Sequence, residues 1–379
     1  MRLLYVTDSI AIWGGLERIL VEKMNYLAEE YGYEVFLSTL CQGSHEFPYQ
    51  LSSKVCHHDL NVNFFRQYEF KFIKRFFFRC KYLRQYKKKL REQIELLKPD
   101  IIIYVRLYLV KILLDVKGDI PLLIESHSGC SSYKYYVDSC LQRLKEERYI
   151  RLSQKAQMIV ALTEGDACEW RTINKNVSVI PNFVHLNTTG GYSDCQAKSA
   201  IFVGRFSRQK DMRSLLDIWK KVQYVHNDWN LHIFAGFGEQ YDQLRPIVEQ
   251  PELNVFLHSP TPYIIDEYIK NSILLMTSLT EPFGLVLPEA MSCGLPVVAF
   301  DCPYGPADII SDGVDGFLVR DRNISEFVEK VCILIDDITL RQKMGAAGIL
   351  SSKRYAPKII MPKWKSLFEQ IKAERINSN

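Results

Sequence analysis

Two glutamates eight residues apart are the side chains best suited to hold a ligand rich in hydroxyl groups. Glu281 and Glu289 bracket the segment EPFGLVLPE, which lies between two apolar runs at residues 273–276 and 296–299. If these runs are strands, Glu281 lies at the carboxyl end of one of them, where open α/β sheets bind their ligands. Ionised carboxylates accept strong hydrogen bonds, so the pair could bind the hydroxyls of a sugar or a ribose.

The segment between the glutamates has the features of an anion site. Gly284 would let a ligand approach the backbone closely, and a helix is expected to start near Leu285, with Pro288 tolerated in its first turn. The unpaired amides at a helix start attract phosphate groups. The alternative is an ordinary helix start with two solvated acids, but the coincidence of so many specific residues favours the anion site.

A second candidate is the cationic loop GRFSRQKD, which directly follows the apolar run at residues 199–203. Arg205 offers a planar fork of donors and Lys210 a point charge, a combination that suits a diphosphate. Both could stabilise the negative charge that grows on a departing phosphate. Taken alone, such a loop is as often a solvated surface.

Weaker signals come from glycine pairs and one histidine that follow other strand candidates. Gly14 and Gly15 open a helix and could cradle a phosphate or leave room for a sugar. Gly236 and Gly238 could border a nucleotide base or form a plain turn. His127 would face a ligand cleft, although a lone histidine is more often structural. None of these glycines forms the GxGxxG fingerprint of nicotinamide dehydrogenases.

Alternating strands and helices position these residues. Runs such as IIIYV and AIFVG are apolar on both faces, which is typical of parallel strands covered by helices on each side. Because this alternation occurs twice, the sequence predicts an α/β protein with two doubly wound, Rossmann-like domains. The strand candidates are residues 3–6, 34–38, 101–105, 121–124, 158–162, 177–180, 199–203, 231–234, 255–257, 273–276, 296–299 and 316–319; the main helix candidates are 16–28, 214–224, 287–293, 325–336 and 357–374.

Length and composition agree with two globular domains. The chain has 379 residues, 47% of them hydrophobic and 24% charged, with a net charge of +4. A polar stretch without periodicity, residues 185–198, is the expected linker, so we place the domains at residues 1–188 and 196–356. The ten cysteines form no CxxC pair and are expected to be free thiols in a reducing cytosol. No run is long enough for a transmembrane helix.

The positive charge is concentrated in one run, Lys71 to Arg91, which holds ten cations and no acid. Phe72, Phe76, Leu83 and Leu90 fall on one stripe of the helix that it would form. A basic amphipathic helix can bind an anionic membrane surface; equally, the stripe could pack on the first domain and leave the charges solvated. A nucleic-acid partner is not expected, because a nucleic-acid-binding protein would spread its charge more widely.

In their order and setting, Gly14, Gly15, His127, Arg205 and Lys210, together with the spaced glutamates, resemble the retaining glycosyltransferases of the family-4 group. The likeness covers nearly the whole chain. It implies the GT-B fold, in which two Rossmann-like domains face each other across a deep cleft. It also implies a crossover helix, residues 357–376, that packs back on the first domain. The segment DCPYGPADII looks like one that is common in bacterial surface-polysaccharide members.

The resemblance also implies a role for each candidate residue. Glu281 and His127 would bind the donor sugar and Glu289 the ribose. Arg205 and Lys210 would hold the diphosphate. They would be helped by the backbone amides of four consecutive residues, Phe283, Gly284, Leu285 and Val286. Members often carry a glycine near residues 258–259, and its absence here is a departure at the expected base pocket.

The expected reaction is transfer of a hexose or N-acetylhexosamine from a nucleotide diphosphate sugar, with uridine as the base that is frequent in the family. The acceptor would be a glycan or a lipid-linked sugar of surface polysaccharide or lipopolysaccharide synthesis, on the cytoplasmic side of the membrane. No cofactor and no metal are expected, since no convincing DxD motif is present. The alternatives are a nucleotide-sugar epimerase, a non-catalytic nucleotide-sugar-binding protein and, more remotely, a nicotinamide dehydrogenase.

Overall fold

The computed structural model describes residues 1–184, 186–187 and 191–378, and it contains two parallel sheets. The first has the spatial order β3-β2-β1-β4-β5-β6-β7 and the second the order β10-β9-β8-β11-β12-β13. The first sheet consists of β1 (Arg2–Thr7), β2 (Glu34–Thr39), β3 (Val55–Asp59), β4 (Ile101–Tyr104), β5 (Leu122–Ser126), β6 (Met158–Ala161) and β7 (Val177–Val179). The second consists of β8 (Ser199–Arg205), β9 (Asn230–Gly236), β10 (Val255–His258), β11 (Ile273–Met276), β12 (Val297–Phe300) and β13 (Gly316–Val319).

Helices cover both faces of each sheet, as the strands with apolar side chains on both faces predict. Those of the first half are α1 (Gly15–Glu29), α2 (Phe72–Leu97), α3 (Val110–Val116), α4 (Tyr133–Tyr136), α5 (Cys140–Ser153) and α6 (Glu164–Arg171). Those of the second half are α7 (Met212–Val225), α8 (Tyr241–Val248), α9 (Ile264–Ile269), α10 (Val286–Ser292), α11 (Gly305–Ile309), α12 (Ile324–Asp336), α13 (Ile338–Ser352) and α14 (Pro357–Ser378). Within the described ranges, no helix is long and apolar enough to span a bilayer.

One strand was not predicted. His57 and His58, which lie outside every strand candidate, belong to β3 at the edge of the first sheet, in register with Leu37 and Ser38. The sequence VCHHD carries no apolar run, and of its five residues only Val55 is buried. Backbone pairing with β2 holds this strand in place, and a hydrophobicity pattern does not report such pairing.

The chain crosses between the two domains twice. Phe183 belongs to the core of the first domain, whereas the next residue, Val184, belongs to that of the second. The final helix, α14, returns to the first sheet, where Trp364 and Phe368 are buried beside β1. The predicted crossover helix is therefore present.

The predicted linker, residues 185–198, lies partly outside the described residues, which omit 185 and 188–190. Its later part is not an open linker. Ser193 donates its amide to the Cys293 carbonyl (2.8 Å) and its hydroxyl to the Asn271 carbonyl (2.5 Å), and Cys195 is buried. Polar side chains that bond the backbone of the second domain explain why this stretch looks like a linker in sequence. The domain boundaries stay a prediction.

The basic helix α2 divides into two halves that differ in burial. Towards its C-terminus, Leu90 is fully buried and Leu83 packs against the first core, but Phe76 is 64% exposed. The predicted stripe therefore does not act as one surface; the side chain of Phe72 lies outside the described part. The second half of the helix packs on the first domain as predicted, whereas Phe76 in the first half does not.

Candidate active site

Lys210 and Glu281 meet at the carboxyl edge of the second sheet. Lys210 ends the turn after β8, and Glu281 lies in the loop between β11 and α10. β11 is adjacent to β8 in the sheet. The Lys210 ammonium donates to Glu281 Oε2, which also accepts from the Ser278 hydroxyl at 3.2 Å. The Thr277 hydroxyl donates to the Lys210 carbonyl at 3.1 Å. The two loops are therefore joined by a hydrogen bond to the backbone as well as by the ion pair.

The backbone between the glutamates turns sharply at Gly284, which has φ +91°. A side chain here would be strained, and its Cβ would lie 3.0 Å from Cγ of Glu281. α10 follows immediately, and the amides of Leu285 and Val286 find no acceptor among the described residues. Phe283 turns its ring away, against Tyr355 (5.2 Å between centroids), and offers only its backbone.

Glu289 is reached by a cation from the other domain. It lies in α10 with its side chain only 6% exposed, and the guanidinium of Arg18, in α1, donates to its Oε1. Its second oxygen, Oε2, accepts from the Tyr268 hydroxyl at 3.3 Å. The acid that sequence analysis assigned to a ribose is thus held by an interdomain ion pair.

Arg205 ends β8, and its exposed guanidinium has no ion pair or hydrogen bond within the described part of the chain. It is in register with Gly236 of β9. Gly238 supports the same loop by fitting tightly against it, since a Cβ there would lie 2.2 Å from the Phe206 carbonyl oxygen. The two glycines therefore shape the Arg205 loop. His258 and Ser259 occupy the place where the family's glycine was expected, and the next residue, Pro260, lies beside Gly236.

Gly14 and Gly15 begin α1 and bring the two domains together. Gly14 is the N-cap, and a Cβ on Gly15 would lie 3.0 Å from Cδ1 of Leu285, at the start of α10. The starts of α1 and α10 therefore abut across the cleft. An anion held by one helix start would lie close to the other.

His127 follows β5 in the first domain, as predicted, but its imidazole does not simply point into the cleft. The side chain is 5% exposed, and its Nε2 atom lies 2.9 Å from Oε2 of Glu125. Burial lowers the pKa of His127, and the neighbouring Glu125 carboxylate offsets only part of that effect. No contact joins His127 to Lys210 or Glu281 among the described residues.

Sequence analysis missed Tyr304, which joins the Glu281 loop to the first domain. Its backbone has φ +90° and ψ −83°, a strained conformation for a tyrosine. Its hydroxyl accepts from the Ser131 amide (3.1 Å) and donates to Glu169 (2.9 Å), and its ring fills the space beside Gly129. The only signal in the sequence was its place in the segment DCPYGPADII, and the role of that segment is not evident from composition.

The site therefore gathers three cations and two carboxylates from both domains. Lys210, Arg205 and Glu281 belong to the second domain, as does Glu289, and Arg18 comes from the first. Local charge is +1 if all five groups are ionised. Within the described ranges, no three His, Cys, Asp or Glu side chains cluster in a way that could hold a metal ion.

Comparison with known families identifies this arrangement. The model described as "Glycosyltransferase Family 4" matches residues 13–188, and the model "Glycosyl transferases group 1" matches residues 194–350. Together they cover both domains and all the candidate residues. The chain belongs to the family-4 glycosyltransferases. Its two parallel-sheet domains have the GT-B fold that the resemblance implied.

Individual relatives agree with this membership over almost the full length. The amylovoran biosynthesis glycosyltransferase AmsD of Erwinia amylovora is 27% identical over 97% of this chain and 99% of its own. The structure of Staphylococcus aureus TarM with fondaparinux, α-GlcNAc-glycerol and UDP has a TM-score of 0.79 at 16% identity, covering 97% of this chain and all of that chain. Anabaena HepE with UDP-glucose has a TM-score of 0.72 at 17% identity, over all of this chain and 99% of that one.

Proposed function

We propose that this glycosyltransferase moves a hexose or an N-acetylhexosamine from a uridine diphosphate sugar to a glycan or lipid-linked acceptor in surface polysaccharide or lipopolysaccharide synthesis. The reaction proceeds with retention and needs no metal. The observation that carries the proposal is the meeting of Lys210 and Glu281 beside the unpaired amides of Leu285 and Val286. A cation and amides suit a diphosphate, and a carboxylate suits the hydroxyls of the attached sugar.

Donor binding requires an exchange of partners. In the structure Lys210 neutralises Glu281, and Arg18 neutralises Glu289. A bound diphosphate offers the cations new acceptors, while the sugar and ribose hydroxyls offer the carboxylates new donors. Every charge then keeps a partner, which matters because an unpaired buried charge costs several kcal/mol. Arg205 has no hydrogen bond or ion pair to the described residues, so it can bind phosphate without giving up one of those contacts.

The same groups account for catalysis. The bond from the anomeric carbon to the diphosphate oxygen breaks, and the acceptor oxygen bonds the same face of that carbon. The departing phosphate takes the acceptor's proton, so no separate base is needed. Arg205, Lys210 and the amides stabilise the charge that develops on the diphosphate, an effect of the kind that contributes about 3–4 kcal/mol per donor in other enzymes.

Two relatives support the choice of donor and stereochemistry. TarM was crystallised with UDP and an α-linked N-acetylglucosamine, and HepE with UDP-glucose. AmsD is named for the biosynthesis of an exopolysaccharide, amylovoran, which supports a surface glycan as the product.

The decisive experiment measures transfer with purified protein, a panel of nucleotide sugars and a lipid extract as acceptor. We expect label from one UDP-sugar to appear in the extract, with the anomeric configuration retained by NMR and the rate unchanged by EDTA. Glu281→Gln and Lys210→Met should each lose most of the activity, whereas Lys221→Met, on the exposed face of α7, should not. Free epimerised donor without acceptor would favour an epimerase, and nucleotide binding without any transfer would favour a sensor.

We also propose that the protein attaches to the cytoplasmic face of an anionic membrane. The contact is an aromatic and basic patch formed by the turn before α2 and the first part of that helix. Its exposed aromatic and aliphatic side chains are Phe65, Tyr68, Ile73, Phe76 and Phe77, and its exposed cations include Lys71, Lys74, Arg75 and Arg79. Exposed apolar groups among cations suit the boundary between lipid headgroups and acyl chains.

The second half of the run from Lys71 to Arg91 contributes less to this patch. Lys87 pairs with Asp115 at 2.8 Å, and Lys89 donates to the Leu60 carbonyl at 2.6 Å. These lysines therefore already have protein partners. The structure moves the proposed membrane contact towards the beginning of α2.

Vesicle sedimentation tests the attachment. We expect the protein to bind vesicles rich in phosphatidylglycerol but not vesicles of phosphatidylcholine. Phe76→Ser combined with Phe77→Ser should abolish binding, while Leu96→Ser, which alters an equally exposed residue at the far end of α2, should not. Equal binding of both variants would refute the proposed patch.

A further inference from the structure

A buried ion pair lies directly behind His127. The Lys23 ammonium, in α1, donates to Oε2 of Glu125 at 2.5 Å, and the Nε2 atom of His127 lies 2.9 Å from the same oxygen. The side chains of Lys23 and Glu125 are each only 1% exposed. The three groups therefore form one connected network beneath the cleft.

The position of Glu125 in the sheet would ordinarily hold an apolar residue. Glu125 shares a face of β5 with Leu123, which is buried in the core between the first sheet and α14. Taking two charges out of water costs several kcal/mol per ion, and well-packed apolar residues would often stabilise the fold as well or better. The pair is thus not explained by stability, and within the described part of the chain its one hydrogen bond to a further side chain is that to His127.

The crossover helix closes this network from the opposite side. The Lys23 ammonium lies 3.9 Å from the ring centroid of Trp364, which is 1% exposed in α14. A cation over an indole face is attracted by the ring, and the attraction grows when water is excluded. Lys23 is therefore fixed between α14 and β5, aimed at Glu125.

The charges around the network leave Glu125 ionised. Burial alone would raise the pKa of Glu125, but Lys23, followed by His127, holds it below its usual value. The other ionisable groups facing it are Tyr5 of β1, whose pKa burial raises, and Arg106, which follows β4 and lies 3.4 Å from Glu17. An ionised Glu125 is an acceptor only, so the hydrogen between it and His127 belongs to the imidazole.

We propose that Glu125 and Lys23 are positioning residues that hold His127 as a neutral imidazole with its proton on Nε2 and its lone pair on Nδ1. Glu125 accepts the Nε2 proton, which selects this tautomer, as a carboxylate behind a histidine does elsewhere. Lys23 supplies the counter-charge, so that His127 does not become protonated to neutralise Glu125. Nδ1 has no hydrogen-bond partner among the described residues.

The consequence for transfer rests on the proposed function. A neutral imidazole with a lone pair on Nδ1 accepts a hydrogen bond from a hydroxyl of the donor sugar. A protonated imidazole would instead donate a hydrogen bond and add a fourth positive charge to the site, where it would alter sugar selection. Trp364 extends this control to the crossover helix, because its ring lies against the Lys23 ammonium.

Nitrogen-15 NMR of histidine-labelled protein tests the proposal without any donor. The His127 signals are assigned by their loss in His127→Asn. In the wild type we expect the shifts of a neutral ring protonated on Nε2. In Lys23→Met, Glu125 loses its counter-charge, and the pKa of His127 should rise by about one unit or more. Lys358→Met, an exposed lysine of α14, is the matched control and should change neither the tautomer nor the titration.

A double variant controls for misfolding of the single variant Lys23→Met. Lys23→Met with Glu125→Leu removes both charges together, which buried pairs tolerate better than loss of one partner. It should leave the fold intact and produce a mixture of tautomers at His127. A wild-type ring protonated on Nδ1, or a tautomer and titration that neither variant changes, would overturn the proposal. If the NMR results hold but no nucleotide sugar is used, the positioning network stands and the proposed function fails.

Discussion

Removal of the Arg18 guanidinium should tighten the binding of a uridine nucleotide, which is the opposite of what loss of a cation near a diphosphate would suggest. Arg18 forms an ion pair with the carboxylate of Glu289, the group proposed to bind the ribose. A nucleotide must therefore displace Arg18 before its hydroxyls reach that acid. Arg18→Met keeps the aliphatic stem and removes only the competitor.

The size of the effect follows from the burial of the pair. The Arg18 side chain is 25% exposed and that of Glu289 is 6% exposed, so water screens the attraction only in part. At an effective dielectric constant of about 20, two unit charges about 4 Å apart attract by roughly 4 kcal/mol. Desolvation offsets much of this, which leaves about 1–2 kcal/mol. We therefore expect the dissociation constant of UDP to fall about 5- to 30-fold.

Isothermal titration calorimetry with UDP measures this change. Glu289 keeps the Tyr268 hydroxyl as a partner at 3.3 Å, so it is not left unbonded in the variant. In a Glu289→Gln background, the Arg18→Met change should have no effect on affinity, because the competition has already been removed. Weaker binding by Arg18→Met, or the same tightening in both backgrounds, would refute the reasoning.

Three further predictions concern stability. Gly284→Ala should lower the free energy of unfolding by about 1–3 kcal/mol and remove most of the activity, because the residue combines φ +91° with a 3.0 Å contact to Glu281. Gly313→Ala, at φ +72° in open space, should lower the free energy of unfolding but leave the activity unchanged. Burial raises the pKa of Asp166 to about 6 from 3.8, so the native state holds the proton more tightly, and the free energy of unfolding should fall by about 2 kcal/mol between pH 4 and pH 7. Urea unfolding of Asp166→Asn should lack that fall, and an equal fall in the variant would exclude this carboxyl as its source. Leu90→Ala should cost about 2–5 kcal/mol because Leu90 is fully buried, whereas Leu96→Ala, at a residue 75% exposed, should stay within about 0.5 kcal/mol in the same denaturant assay.

Most of the fold could be predicted because buried parallel strands carry their own signal. All six strands of the second sheet lie where apolar runs were found, within about two residues at each end. β3 escaped because an edge strand needs only backbone pairing, and its two histidines carry no apolar pattern. The different burial of the two halves of the basic helix was not predicted for a related reason. Leu90 and Phe76 lie on one stripe of the helix, but the first domain covers Leu90 and leaves Phe76 exposed.

The candidate site was predictable where spacing along the chain reflects one loop or one helix start. Glu281, Gly284 and Glu289 are of this kind, since a single strand, turn and helix position them. Arg18 was not, because its partner Glu289 is 271 residues away and the pairing depends on how the domains face each other. Lys23 was not predicted for the same reason, because its partner Glu125 is distant in sequence and most of the other buried residues of α1 are apolar.

These distant partners change how the site should be understood. The motifs contain the groups that a ligand would contact, and the structure shows which protein partner each of these groups must release. Glu281 exchanges an ammonium for hydroxyls, and Glu289 exchanges a guanidinium from the other domain. The second exchange breaks the ion pair between α1 and α10. Binding at the ribose end is therefore coupled to the spacing of the domains, whereas binding at the sugar end is local to one sheet. A ligand that carries sugar and diphosphate without the ribose would therefore leave the interdomain ion pair intact.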